Sequence, residues 1–186
     1  MPLTSNTLGQ AYALTVLTPI LPEAEDGLCA LLAKFEDDAK RNEDGSPLAQ
    51  LERTHFARWV VVKDFVNDPS QSTEDHLACH YLLFTATLDG DLDSYLDALC
   101  ATSWAAEVWG ACIGAPDPAA GAALKAYLQH NQIDTGIFFS AYPDARVEQV
   151  RRSLDLRQKV IDFAADAQEM DPLTLQRELL TRCRAS

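Results

Sequence analysis

The sequence predicts an α+β domain built on an antiparallel sheet, and two segments carry that prediction. Thr54 to Val62 and Leu82 to Leu88 are rich in β-branched and aromatic residues, as strands are. Asp89-Gly90 marks a turn at the end of the second segment. Before and after this pair, apolar residues recur at helical spacing, so we expect helices to cover the sheet.

The N-terminal half of the chain alternates between strand and helix patterns. Leu28, Leu32 and Phe35 recur at helical spacing, and Ser46-Pro47 is typical of an N-cap followed by a first-turn proline. In chain order, the predicted elements are a strand from Tyr12 to Ile20, a helix from Glu23 to about Arg41, a helical turn from Ser46 to Leu51, a strand from Thr54 to Asp64 and a strand from Cys79 to Thr87.

Helical patterns dominate after Asp89-Gly90. The first predicted helix is capped by Asp91 and has one apolar stripe, formed by Leu92, Tyr95, Leu96, Leu99 and Ser103. The later elements are a helix from Ala119 to His130, a fourth strand from Thr135 to Ala141, a long helix from a cap at Asp144 to about Ala167, and a last helix from Asp171-Pro172 to about Cys183. Strand, helix, strand, strand, helix, strand is the ferredoxin-like order. We therefore expect one domain over residues 1–186, with its core at about 10–142 and a C-terminal helical extension at about 144–184.

The alternation within Thr54–Val62 predicts how the sheet is covered. Its side chains fall on two faces that are both mostly apolar, one with His55, Ala57, Trp59 and Val61 and the other with Phe56, Arg58, Val60 and Val62. An antiparallel sheet with helices on one side normally presents a polar second face to water. Two apolar faces need two covering layers, and a second copy of the chain is the simplest source, so we expect a homodimer.

The net charge of −13, from 28 acidic and 15 basic residues, argues against two classes of partner. A protein that neutralises phosphates needs a basic stripe. The best candidate helix carries Arg151 and Arg152 but also Glu148 and Asp155, which is typical of a solvated face. We therefore expect neither nucleic acid nor an anionic membrane surface as a partner.

The N-terminus and the cysteines predict a reducing, cytoplasmic location. Met1 to Ser5 lacks the basic and apolar regions of a secretory signal, and no apolar run has the length of a membrane span. The cysteines are odd in number, without C-x-x-C spacing and without an evident neighbouring base, which favours five reduced, non-catalytic thiols: Cys29, Cys79, Cys100, Cys112 and Cys183.

The histidines predict no metal site. His76 and His80 stand four apart, a spacing that serves a metal ion on a helix, but this segment enters a strand. The sequence also contains no nucleophile-elbow, phosphate-loop, zinc-protease or dinucleotide motif. His55 remains a weak candidate for acid–base chemistry, since an imidazole titrates close to neutral pH.

When the strands are aligned so that their polar residues share a face, that face contains Arg58, Thr85, Thr87 and Thr15, with Tyr81 near its rim. A few polar groups on an apolar surface are how small-molecule pockets orient a ligand. Arg58 presents a charged fork suited to a carboxylate, carbonyl or enolate oxygen, and Thr85, Thr15 and Tyr81 would complete the polar end. The alternative is that Arg58 pairs across a dimer interface with a carboxylate, that of Asp64, Glu74 or Asp75, and binds no ligand.

The same strands carry a family resemblance. Ser46-Pro47-Leu48 leading into Thr54-His55-Phe56-Ala57-Arg58-Trp59-Val60-Val61, then Leu82-Leu83-Phe84-Thr85 running to Asp89-Gly90 and Tyr95-Leu96, is similar to a group of unassigned function within the dimeric α+β barrel superfamily. The similarity covers about residues 46–100 and implies a ferredoxin-like sheet with helices on one face and a partner's sheet on the other. The superfamily includes monooxygenases, isomerases, cyclases, chlorite dismutases and dye-decolourising peroxidases, so the fold does not give the function.

The peroxidases of that superfamily carry a G-x-x-D-G motif whose aspartate acts over haem. Ala86-Thr87-Leu88-Asp89-Gly90 matches only its last two positions, and no proximal histidine can be assigned. We therefore expect no cofactor, with haem as a minor alternative. Three function classes stay open: a protein that binds or converts a small, largely apolar molecule with an oxygen anion or carbonyl, an accessory protein that works through its dimer surface, and a haem-dependent peroxidase-like enzyme.

Overall fold

The computed structural model describes residues 6–41 and 46–182, and within them the protein is α+β. The strands are β1 (Thr7–Leu8), β2 (Ala11–Pro19), β3 (Thr54–Val62) and β4 (Tyr81–Asp89). The helices are α1 (Glu25–Arg41), α2 (Leu92–Cys100), α3 (Ser103–Gly110), α4 (Gly121–His130), α5 (Val147–Asp166) and α6 (Pro172–Arg182). Short 3₁₀ turns occupy Pro22–Ala24, Pro47–Gln50 and Ala167–Glu169.

The four strands form one antiparallel sheet in the order β1-β2-β4-β3. The three long strands are those that the β-branched and aromatic runs predict, with ends shifted by at most two residues. The turn before β3 is also confirmed, because the Ser46 side chain accepts a hydrogen bond from the backbone of Leu48 and Pro47 opens the turn.

The helices α1 to α4 cover one face of the sheet. Alternate residues of β4 enter this core, and Leu82, Phe84 and Leu88 are almost completely buried. Phe84 lies at the centre of an aromatic cluster, with its ring centroid 5.4 Å from that of Trp59 and 5.4 Å from that of Trp109. Trp104 packs edge-on against Trp59 at 5.7 Å. The opposite face of the sheet, called the outer face below, carries no helix from this part of the chain.

The predicted fourth strand is wrong. Residues 135–141 do not form a strand, although Ile-Phe-Phe has high strand propensity. The edge of β2 that a fourth strand would need is already occupied. β1 pairs with its start, the carbonyl of Thr15 accepts from the backbone N–H of Ile133, and the N–H of Leu17 donates to the carbonyl of Asn131. Tertiary context therefore overrides local propensity here.

Two helix boundaries also differ from the prediction. Ser103 does not continue the stripe of α2 but begins α3, because the Thr102 side chain accepts from the backbone of Ala105 and caps a new helix. The N-cap of α5 is Arg146 rather than Asp144, and its backbone N–H donates to the Gln149 side chain at 3.0 Å. Thr102 and Ser103 are both good N-cap residues, so composition does not decide between them. At α5 composition favours Asp144, and the structure departs from that preference by two residues.

The chain divides into two compact units, Met1–Asp144 and Ala145–Ser186. The first contains the sheet and α1 to α4. The second contains α5 and α6, which are joined by an ion pair of 2.5 Å between Arg182 Nη1 and Asp166 Oδ2. No helix in the described residues combines the length and the apolar composition needed to span a membrane.

Candidate functional site

The strand register brings the predicted ligand residues into one row on the outer face. Thr15 of β2 stands opposite Thr85 of β4, which stands opposite Arg58 of β3. The next row contains Ala13, Thr87 and Phe56. Because the floor of these two rows is built from alanine and threonine, it leaves a concavity of about 410 Å³.

Arg58 is the single charged residue among those that line this concavity. Its Nε donates to Thr85 Oγ1 at 3.2 Å, which fixes the plane of the guanidinium on the sheet. In the part of the chain that the structure describes, no carboxylate pairs with Arg58. Two Nη groups with four N–H donors therefore remain for an anion from outside.

Asp64, one of the suggested partners of Arg58, is engaged elsewhere. Its Oδ2 lies 2.7 Å from His76 Nδ1, and its Oδ1 accepts from the backbone N–H of Leu77 at 3.0 Å and of Phe65 at 2.8 Å. These bonds, the one to His76 first, lower the pKa of Asp64 to about 2. Asp64 thus closes the loop between β3 and β4 and does not reach Arg58 of its own chain.

One wall of the concavity comes from outside the sheet. Phe138 lines it and is half-buried, whereas its neighbours Ile137 and Phe139 are 84% and 81% exposed. The segment 135–142, called the strap below, therefore turns alternate side chains toward and away from the outer face. The strand propensity of this segment predicted a place in the sheet and did not indicate that Phe138 lines a pocket. The strand-like alternation of this segment could have indicated that one of its sides is buried, but alternation does not specify which surface the strap crosses.

His55 does not line the concavity. It stands at a β-bulge between Thr54 and Phe56, and its Nε2 lies 3.7 Å from Asp89 Oδ2 with only 18% of the side chain exposed. Strict alternation also places His55 on the face of β3 opposite Arg58. His55 pairs with Asp89 there, and its weak candidacy for acid–base chemistry stays a prediction.

Tyr81 shares the outer face with Arg58 but lies outside the concavity. It pairs in register with Pro19 and Val62, four residues along β4 from Thr85, or about 13 Å. The nearby Cys79 thiol raises the pKa of Tyr81. The row between Tyr81 and Thr85 holds Leu17, Leu83 and Val60, so this part of the face is apolar.

The chemistry of the concavity is that of a binding site. Its lining contains one guanidinium, three threonine hydroxyls and apolar groups, and no histidine, cysteine or carboxylate among the residues described. Such a set holds an oxygen anion and an apolar body but supplies no general base.

A second concavity of about 520 Å³ lies between α1 and the free edge of β3. Leu32, Phe35, Leu48, Trp59 and Val61 give it an apolar lining. Cys29 and Glu36 also border it, and Glu36 is paired with Lys40 at 2.7 Å.

The remaining histidines and cysteines do not assemble into a site. His80 Nδ1 lies 2.6 Å from Glu25 Oε2, whereas His76 binds Asp64. Among the described residues, no three metal-ligating side chains lie close enough to share an ion. Four cysteines are free thiols, namely Cys29, Cys79, Cys100 and Cys112. Cys183 lies outside the described residues.

Asp89-Gly90, the part of the peroxidase-like segment that matches, ends β4. Gly90 has a φ of 83°, in the left-handed region that glycine adopts without a steric penalty. Asp89 is buried and its backbone N–H donates to the carbonyl of Arg53 at 3.0 Å. These are properties of a turn.

No family model matches the chain, and neither the curated proteins nor the solved structures give a match.

Proposed function

We propose that the protein is a cytoplasmic homodimer of the dimeric α+β barrel type, in which the outer faces of two ferredoxin-like sheets face each other. The order of the three long strands supports this, since β4 lies between β2 and β3 as the third strand of such a sheet does. The apolar side chains left on the outer face also support it. Phe56 is 78% exposed and Val60 is 40% exposed in the single chain.

The function that the outer face supports best is binding of a small, largely apolar molecule that carries a carboxylate, carbonyl or enolate oxygen. One observation carries this proposal: Arg58 stands in an apolar concavity, is oriented by Thr85 and has no carboxylate partner in the described chain. Covering this face with a second sheet would bury the guanidinium. A buried unpaired charge costs several kcal/mol, so a bound anion would stabilise the covered arginine.

The proposal assigns roles to three residues. Arg58 binds the oxygen atoms through its free Nη groups, Thr85 holds the guanidinium in place, and Thr15 offers a hydroxyl in the same row. Tyr81 is too far from Arg58 along β4 to contact the same oxygen atoms. We propose no catalytic residue, no cofactor and no metal for this site, and we propose neither nucleic acid nor a membrane as a partner.

A calorimetric titration with 2-naphthoate tests this function. We expect Arg58→Met to weaken binding at least about tenfold, since a charge-assisted hydrogen-bonded pair contributes about 1.5–3 kcal/mol. The matched control is Arg53→Met, because Arg53 is an exposed arginine just before β3 that does not line the concavity. If Arg58→Met folds and binds 2-naphthoate with unchanged affinity, or if the wild type does not bind it, the proposed function is wrong.

A second function has its own support. The strap exposes Ile137, Phe139 and Tyr142 to solvent, and Tyr142 is 79% exposed. A surface of this kind suits an accessory protein that works through contacts with other chains. Loss of ligand binding together with a retained, tight dimer would favour this alternative. Haem is tested separately, because a Soret band that forms when hemin is added would contradict the absence of a cofactor.

A further inference from the structure

Building on the proposed function, we infer that the ligand is a flat aromatic carboxylate, held with its ring system between Phe56 and Phe138 and its carboxylate on Arg58. Phe138, which comes from the strap, then determines which ligands are accepted. Three observations lead to this inference: the positions of the two rings, their open faces, and the way the strap is anchored.

The two rings line the same concavity. Phe56 belongs to β3 and Phe138 to the strap, while Thr85 and Thr87 of β4 form part of the floor. A flat aromatic ring makes carbon contacts at about 3.5 Å on each of its two faces. A planar molecule can therefore contact one phenylalanine ring with each face, which a thicker, saturated molecule does less closely.

Both rings are open to a ligand. Neither Phe56 nor Phe138 makes a ring contact with another aromatic side chain in the described chain, in contrast to the five rings of the core cluster. The Phe56 side chain is 78% exposed, so an aromatic neighbour would bury apolar surface and add a ring contact. The small side chains of Ala13 and Thr87 in the same row leave room for that neighbour.

The distance from Arg58 to the ring pair sets the length of the ligand. Phe56 precedes Arg58 by two positions on the same face of β3, which corresponds to about 6.8 Å along the strand. A carboxylate attached directly to an aromatic ring system spans this distance. The ligand thus lies along the strands, with its charged end at the Thr15–Thr85–Arg58 row and its rings over the neighbouring row.

The strap is anchored at both ends and unbonded between them. Thr135 donates its backbone N–H and its hydroxyl to Asn6 Oδ1, and the carbonyl of Pro143 accepts from the backbone N–H of Gln10 at 2.8 Å. Residues 136–142 make no hydrogen bond to any other described residue. Phe138 is therefore positioned by the two anchors and by packing, which lets its ring adjust to the thickness of a ligand.

A pair of carboxylates with the same carbon skeleton tests the inference. 2-Naphthoate is flat and aromatic, whereas decalin-2-carboxylate is its saturated, thicker counterpart. Calorimetric titration of the wild-type protein should show that 2-naphthoate binds about tenfold more tightly, because two ring contacts contribute roughly 0.5–1.5 kcal/mol each. Phe138→Leu should remove most of this preference. Phe139→Leu is the matched control, since Phe139 is the exposed neighbour on the same strap.

The outcomes separate this inference from the proposed function. One outcome is that Arg58→Met abolishes binding, that the wild type binds decalin-2-carboxylate as tightly as 2-naphthoate, and that Phe138→Leu changes neither affinity. Arg58 is then the anion site, and the inference about the rings is overturned. If neither carboxylate binds, or if Arg58→Met has no effect, the proposed function fails and the inference fails with it. A preference for 2-naphthoate that Phe138→Leu removes and Phe139→Leu retains supports both.

Discussion

At the scale of single residues, burial determines how the cysteines react. Burial raises the pKa of the Cys100 thiol to about 11 and that of the Cys112 thiol to about 11. At pH 8 the reactive thiolate of each is therefore roughly one part in a thousand. We expect both thiols to react slowly with a disulfide reagent in the native protein, and all five cysteines of the chain to react in denaturant.

Mass spectrometry of the labelled protein checks this expectation residue by residue. Rapid labelling of Cys112 in the native state would show that its burial, and its 3.2 Å contact with Thr18 Oγ1, does not persist in solution. A count below five in denaturant would reveal a disulfide.

Asp64 provides a pH-dependent contact in the loop between β3 and β4. Its hydrogen bonds, first to His76 and then to Leu77 and Phe65, lower its pKa from 3.8 to about 2. Because the folded-state value lies below the unfolded one, the contact stabilises the loop above about pH 4 and is lost as the pH falls toward 2. NMR titration of the Asp64 carboxyl carbon should report this low value.

Hydrogen exchange of the Leu77 amide gives a second readout for the same loop. Asp64→Asn should lower the protection of the Leu77 amide against exchange at pH 6, and that protection should no longer fall as the pH drops toward 2. Asp75→Asn should have neither effect, since the Asp75 side chain makes no hydrogen bond to Leu77. An Asp64 that titrates near pH 4 would mean that the loop is open in solution.

The sequence predicted which side chains share a face wherever the strands are regular, because side chains then alternate between the two faces. Arg58, Thr85 and Thr15 fall in one row because regular strands place alternate side chains on one face. His55 falls outside this row because the same alternation places it on the opposite face of β3. Phe138 was missed because no local pattern specifies where an irregular segment packs.

At the scale of elements, the aromatic cluster holds the helices on the sheet. Phe84 is 1% exposed on the central strand β4 and contacts both Trp59 and Trp109. We expect Phe84→Ala to lower the free energy of unfolding by about 3–5 kcal/mol, as cavity-forming aromatic substitutions do. Urea denaturation measures this loss.

Phe65→Ala is the control for that measurement, because Phe65 is 55% exposed in the β3–β4 loop. It should change stability by less than about 0.5 kcal/mol. A loss of less than about 1 kcal/mol for Phe84→Ala would mean that the cluster is not the centre of the core.

The fourth strand shows what limits prediction at the scale of elements. The run Ile137-Phe138-Phe139 has the composition of a strand, and only the occupied edge of β2 keeps residues 135–141 out of the sheet. Thr7 and Leu8, more than 120 residues away in sequence, occupy the start of that edge, and residues 131–133 occupy the rest of it. Non-local competition of this kind leaves no trace in the local pattern, whereas the three long strands were predictable because their own periodicity specifies them.

At the scale of the whole molecule, the outer face is the surface on which both the proposed ligand binding and the proposed dimer depend. It holds the Arg58 concavity, the strap and an apolar area around Val60, and a second copy is proposed to cover it. A stable interface of this kind buries roughly 1,600 Å² in total. An aspartate placed in it would be unpaired and would cost several kcal/mol, enough to separate the two chains.

Light scattering at micromolar concentration tests this most directly. We expect a mass of twice 20.5 kDa for the wild type, and a return to 20.5 kDa with unchanged circular dichroism for Val60→Asp. Val160→Asp is the matched control, because Val160 lies on α5 and is 44% exposed, close to the 40% of Val60. This control should remain dimeric. A wild-type mass of 20.5 kDa, or a dimer that survives Val60→Asp, would contradict the claim that the outer faces of two sheets meet.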